Sequence, residues 1–312
     1  MQSFLHSISA VLIIVLLTAT GYVLGHLGWF KPEHKSLVSK LVINVALPCL
    51  CLSNLIQNFT LSSIAGFGAL LLVPFLGMAL CMLLCAIVAK LLHLPHRQKG
   101  LFTYMGGLPN VMFIGMPLCI ELFGEAAVPF VLCTFLANAI LAQSIGIAVI
   151  ERDGHPEGSR LSLKGLKNVL KQPPFVAVLV SLAFILLNVR LPSILLRYTE
   201  YLSGIVSPLA LIYAGYVIYE IGFKNIRLER GLPTVFWLRF VVSPAICFGL
   251  CALFGVTGLA RSVFLVIFAM PTMTQSVVLS GALGSDENYA AQGAAITTLL
   301  SFIIIPILML FA

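Results

Sequence analysis

Charge is scarce in this chain: only 9% of its 312 residues are Asp, Glu, Lys or Arg, against 60% hydrophobic residues and just two tryptophans. A mean hydropathy of +1.08 is beyond any soluble domain of ordinary composition, so the chain reads as an integral membrane protein with nothing left over for a soluble domain. No Asp or Glu falls in the middle of an apolar run. Proton-coupled machines usually carry a titratable intramembrane residue, so a carboxylate-based proton antiport is disfavoured. All eight cysteines lie inside apolar runs, which excludes an external disulfide framework. Cys81/Cys85 and Cys247/Cys251 are spaced i, i+4, each pair on one helical face. A soft metal could use that spacing, but small apolar residues packed between helices account for it. There is no nucleophile with a base, no phosphate loop and no metal quartet, so neither an enzyme nor a bound cofactor is expected.

Ten apolar runs are each long enough to cross about 30 Å of hydrocarbon: 4–27, 37–56, 64–91, 101–119, 127–150, 175–189, 202–221, 232–254, 262–283 and 290–312. The first is too long for a cleaved signal peptide and lacks a basic start, so it is kept as a span. The net charge of +7 would fit an acidic partner such as nucleic acid, but its distribution gives a different reason for it. Fourteen of the 18 Lys and Arg fall on alternate connections: Lys31, Lys35 and Lys40; Lys90, Arg97 and Lys99; Arg152, Arg160, Lys164, Lys167 and Lys171; Lys224, Arg227 and Arg230. Arg190, Arg197 and Arg261 lie on the other side and Arg239 is inside a span, from which it could snorkel to the cytoplasmic face. The positive-inside rule then predicts a cell (inner) membrane protein with both termini outside the cytoplasm. Its partner is the bilayer, and nucleic acid is unnecessary.

Two stretches break the helical pattern. GGLPNVMFIGMPL (106–118) puts Gly, Pro and Asn where the fourth span should be continuous, and FAMPTMTQSVVLSGALG (268–284) does the same in the ninth. In hydrocarbon every freed backbone group needs a partner, so such breaks survive only when buried in protein or lining a polar cavity. Five spans precede the central connection (151–172) and five follow it. An odd number per half makes the halves enter from opposite sides, so 1–150 and 173–312 read as inverted five-span repeats. The basic, alternating segment 160–170 between them reads as an interfacial helix.

Interrupted segments in matching positions of two halves are the best sequence pointer to a transporter site. Half-helices that begin after the breaks offer free N–H groups and positive dipole ends, which suit a carboxylate without a buried cation. The candidate substrate-binding residues are Pro109, Asn110 and Gly115 on the fourth span, and Pro271, Thr272, Thr274, Gln275 and Ser276 on the ninth. Asn44, four residues before Pro48 where a kink is expected, and Asn138 complete the set. Tyr104, Tyr213 and Tyr216 either line a cavity or bridge helices.

GGLPNVMFIGMPLCIELFG (106–124), INVALPCL in the second span, SPLALIYAGYVI (207–218) and the final MPTMTQSVVLSGALGSDENYAAQGAAITTLLSFIIIPIL (270–308) closely resemble the motifs of the auxin efflux carrier family, which includes plant PIN carriers and bacterial permeases for malate-like acids. The resemblance covers essentially the whole chain. It implies ten helices in two inverted repeats with crossing broken helices four and nine, a fold like that of sodium/proton antiporters and bile acid symporters. It also implies a homodimer. The expectation is a secondary transporter or facilitator of a mono- or dicarboxylate working by an elevator movement. The alternatives are a sodium- or proton-coupled carrier and a non-transporting sensor or scaffold.

Overall fold

The computed structural model describes residues 2–58, 67–154, 171–187, 189, 191–222 and 228–308. In chain order the helices are α1 (Gln2–His26), α2 (Pro32–Leu41, continuing through Val42–Ala46 into Leu47–Asn58), α3 (Phe67–Leu91), α4 (His96–Gly107), α5 (Val111–Phe123), α6 (Glu125–Gly154), α7 (Pro173–Leu186), α8 (Ser193–Ser203), α9 (Val206–Ile221), α10 (Leu232–Leu253), α11 (Gly258–Phe268), α12 (Gln275–Ala282) and α13 (Glu287–Leu308). Among the described residues, five stretches are long and apolar enough to cross a membrane: Pro32–Gln57, Leu70–Leu91, Glu125–Gly154, Ser193–Glu220 and Leu232–Leu253. Shorter apolar helices are Leu12–His26, Val111–Phe123, Pro173–Leu186 and Gly258–Phe268. The basic segment 160–170 lies outside the described residues, as do Lys224 and Arg227.

Proline chemistry explains the local irregularities. Widened π-type turns occur at Val42–Ala46, Val111–Gly115, Ala142–Gly146 and Leu238–Val242. Three of them end two residues before a proline, at Pro48, Pro117 and Pro244, and there the N–H before the proline reaches back five residues: Leu47 to Val42, Met116 to Val111 and Ser243 to Leu238. A proline ring presses on the carbonyl four residues earlier and donates nothing, so the preceding turn widens rather than breaking the helix. The kink expected at Asn44/Pro48 is therefore a π-turn. The span expected to start at residue 202 begins earlier: α8 and α9, separated only by Gly204 and Ile205, together form the apolar stretch Ser193–Glu220.

The helices sort into two packing groups. In one, α1 lies along α9, and α7 and α8 lie along α2. The α1–α9 contact is backbone-close because two glycines face it: a Cβ on Gly21 would sit 2.0 Å from the Ile212 carbonyl oxygen, and one on Gly215 would sit 1.8 Å from that of Thr18. Small residues at a helix crossing allow this approach, and packing then drives the association in lipid. In the other group α3 packs on α4, α6 and α10, α10 on α11, and α12 on α13. The groups meet mainly through α5 against α1 and α9, with smaller contacts of α13 on the same two helices and of α6 on α2. Among the described residues, the helix ends that flank the lysine-rich connections come together. There Lys35 pairs with Glu220 at 2.6 Å, Arg97 donates to the Gly284 carbonyl at 2.9 Å, and Gln98 donates to Glu229 and Asp286 at 3.1 and 2.9 Å.

Candidate functional site

Both expected interruptions are present, and they meet. Helix α4 stops at Gly107 because Leu108, preceding a proline, is extended (φ −114°, ψ 119°), and α11 stops at Phe268. The two broken segments cross antiparallel, pairing Pro109 with Thr272. Asn110 N donates to the Pro271 carbonyl at 2.9 Å and Met273 N to that of Leu108 at 3.3 Å. Each break is also tied to the last helix of its own half. Asn138 Nδ2 of α6 donates to the Pro109 carbonyl at 3.1 Å, and Thr297 Oγ1 of α13 accepts from Thr272 N at 3.2 Å. The backbone groups freed by the prolines are thus satisfied by protein, as hydrocarbon requires.

Beyond the crossing lies a cavity of about 360 Å³, within the usual range for a small-molecule site. One wall belongs to the α1/α2/α7/α8/α9 group and includes Ser39, Asn44 and Tyr213; the other comes from α5, α6 and α12 and includes Asn110, Asn138, Gln143 and Gln275. None of its lining side chains is charged. It runs from the crossing toward Ser39, Gln172 and Pro173, at the lysine-rich end. Phe113 and Tyr213 stack across it, ring centroids 4.9 Å apart.

Unpartnered groups of both senses flank this space: Asn138 Oδ1, an acceptor, and Asn110 Nδ2, a donor, are each buried without a partner among the described residues. The Asn110 side chain caps α5, its Oδ1 accepting from Phe113 N at 3.2 Å. Its buried Nδ2 has no partner among the described residues. Neither do the peptide N–H groups of Met112, Thr274 and Gln275, all lining residues at the starts of α5 and α12. Free donors at two converging helix N-termini attract an anion.

The candidates divide accordingly. Asn44, Asn110, Asn138, Thr274 and Gln275 line the cavity. Pro109 and Pro271 shape the crossing but do not line it. Gly115 lets the first turn of α5 press against the other break, where an added Cβ would meet Met270 Cγ at 3.3 Å. Thr272 and Ser276 are fully buried with unpartnered hydroxyls, away from the cavity. Of the tyrosines, Tyr213 lines the cavity, Tyr104 donates to Met273 Sδ at 3.2 Å and Tyr216 stacks on Phe30.

Arg239 corrects its expectation. It does not snorkel to a membrane face; it is fully buried at the crossing. Nε and Nη2 donate to the Met270 carbonyl at 3.1 and 2.9 Å, Nη2 to Phe268 at 3.0 Å and Nη1 to Gly106 at 3.2 Å. Ser243 Oγ adds a bond to the Phe268 carbonyl at 2.9 Å. One guanidinium therefore caps the C-terminal ends of both α4 and α11, where a cation complements the negative dipole end. A lone arginine in an apolar span was the only signal available for this role.

A sequence model of the family described as membrane transport protein matches residues 6–309. An uncharacterized transporter of Methanocaldococcus jannaschii is 29% identical over 305 residues, covering 95% of this chain and 96% of that protein. A second uncharacterized transporter, from Methanothermobacter thermautotrophicus, is 27% identical over 313 residues, covering 97% and 98%. With crossing broken helices, several membrane-spanning segments and a match over almost its whole length, the chain belongs to the membrane transport protein family, that of the auxin efflux carriers, and is a multi-pass transporter rather than an enzyme.

Proposed function

We propose that this transporter is a secondary carrier or facilitator for a small organic anion, a mono- or dicarboxylate, held beside the crossing of α4/α5 with α11/α12. The observation that carries the reading is a cavity with no charged lining side chain, bordered by the starts of α5 and α12 and by the amides of Asn110 and Asn138, whose Nδ2 and Oδ1 have no partner among the described residues. Such a site binds a carboxylate by charge-assisted hydrogen bonds and helix dipoles.

The movement we propose is of elevator type. The α1/α2/α7/α8/α9 group is the scaffold, and the α3–α6 and α10–α13 group carries the substrate. Because the cavity lies between the two groups, sliding one along the other would expose it to the opposite side. Support for ten spans in two inverted repeats comes from exchanged packing: α1 packs on α9 while α7 packs on α2, as two-fold-related partners would. Asn138 and Thr297, each binding its own break, support it again. The positive-inside rule makes the lysine-rich end cytoplasmic, so the cavity reaches toward the inside with both termini outside.

The test is exchange of radiolabelled carboxylates by purified protein in proteoliposomes, with Asn110→Ala alongside. Transport of an identified acid that drops with the substitution supports the assignment, and unchanged transport by the variant sinks it. Imposed sodium and proton gradients separate the facilitator from a coupled carrier.

A further inference from the structure

We propose that Arg239 is the fixed countercharge of this carrier: a positioning residue that sets the electrical sign of the crossing and travels with the moving group. The inference rests on the carrier reading above and goes beyond it in assigning where membrane voltage acts.

Four helix ends meet at the crossing. The starts of α5 and α12 present positive dipole ends, and the finishes of α4 and α11 present negative ones. Left alone, the two kinds would largely cancel within a few ångströms. The guanidinium removes that cancellation, because its four hydrogen bonds go only to the C-terminal carbonyls of Gly106, Phe268 and Met270. No carboxylate pairs with it among the described residues. The carboxylates of its own group lie at helix ends and in connections, Glu121 and Glu125 at the α5/α6 turn and Glu151, Asp153, Glu229, Asp286 and Glu287 at the lysine-rich end, away from the crossing. The crossing is therefore left net positive, facing a cavity whose own side chains are uncharged. Arg239 sits on α10, in the group with α3, α4 and α11, so its charge moves whenever that group moves.

The charge balance has a consequence for voltage. With a monoanion bound, the membrane-buried part of the moving group carries the arginine's plus one and the substrate's minus one, and its passage is electrically neutral. Empty, it carries plus one. An inside-negative potential then acts on the return of the empty carrier, drawing it inward and favouring net export of the anion. The loaded step is indifferent.

Proteoliposomes with potassium/valinomycin-clamped potentials separate the two steps. In the wild-type protein, exchange of a monocarboxylate, which uses only loaded crossings, should change by less than about twofold over 100 mV, while net flux changes severalfold. A full unit charge crossing the whole field would give about fiftyfold per 100 mV. In Arg239→Gln the sensitivity should move: exchange becomes voltage-dependent and net flux loses part of its dependence. Arg239→Lys keeps the charge and should keep wild-type flatness in exchange. A purely structural arginine would change rates or yield without moving the voltage dependence between steps. Voltage-sensitive exchange in the wild type, or flat exchange in folded Arg239→Gln, overturns the proposal while leaving the carrier reading intact. Absence of exchange of every carboxylate tried overturns both. If Arg239→Gln does not fold, the wild-type comparison of exchange with net flux decides alone.

Discussion

Asn110 has two jobs that separate substitutions can pull apart. Its Oδ1 caps α5 through Phe113 N at 3.2 Å, and its Nδ2 is buried beside the cavity with no partner among the described residues. Asn and Asp are equivalent caps, whereas Ala forfeits about 1 kcal/mol. The cap alone would leave Asn110→Asp unchanged and lower the melting temperature of Asn110→Ala by a few degrees at most, but a carboxylate at this buried position adds a desolvation cost that destabilises Asn110→Asp further at neutral pH. Transport should rank the two in the same order for a different reason. Ala removes one hydrogen bond to a charged group, about 1.5–3 kcal/mol, or roughly ten- to a hundredfold in apparent affinity. Asp replaces that donor with a negative charge about 4 Å from a bound carboxylate. At an effective dielectric of ~20 the repulsion is about 4 kcal/mol, near a thousandfold. Protonation of the new carboxyl abolishes the repulsion, so the transport defect of Asn110→Asp relative to wild type should shrink as pH falls. Proteoliposome exchange at several pH values, with a melting curve on each variant, provides the assay. An Asn110→Asp protein that folds and transports like wild type at neutral pH would refute the role of Nδ2 and leave only the cap.

Three further outcomes follow from particular contacts. Gly215→Val places a branched side chain where even a Cβ would lie 1.8 Å from the Thr18 carbonyl oxygen; it should cost more than about 3 kcal/mol and abolish a monodisperse peak in size-exclusion chromatography. Asn138→Leu leaves the Pro109 carbonyl without its 3.1 Å partner, a loss of about 1–3 kcal/mol visible as earlier thermal unfolding. Tyr213→Ala removes a ring stacked on Phe113 from the scaffold wall of the cavity. It should raise KM for bulky acids more than it lowers the turnover of small ones, measured by initial rates across a size series.

The sequence was most informative where local chemistry decides. A proline preceded by glycines in one apolar run, and a proline followed by hydroxyls in another, break helices whatever surrounds them, and both breaks occur where the residues put them. The scarcity of buried charge, likewise a local property, already pointed to a site made of amides and dipoles. Arg239 was illegible because its partners, Gly106, Phe268 and Met270, are remote along the chain; without the fold, solvent is the obvious destination for a buried arginine. The π-turns fall between these cases. The prolines announce a disturbance at Pro48, Pro117 and Pro244, but Ala142–Gly146 widens with no proline following closely, and no local signal accounts for it.

The mixed outcome on the ninth span has a geometric cause. Thr272, Thr274, Gln275 and Ser276 looked like one polar cluster, yet they straddle the point where a helix begins, and successive helical residues are rotated by about 100°. Thr274, Gln275 and Val278 turn toward the cavity. Ser276 and Ser280 fall on the other face, fully buried, and α12 packs there on α13. Thr272 is drawn to that side as well, because its N–H is bound by Thr297 of α13. At the Pro109 break the corresponding partner is Asn138, which binds the carbonyl with one amide atom and itself lines the cavity. The two breaks thus share a backbone and differ in their backing. The cavity lies on the α6 side, where the backing residue is a cavity-lining amide, and is absent from the α13 side, where it is a fully buried threonine.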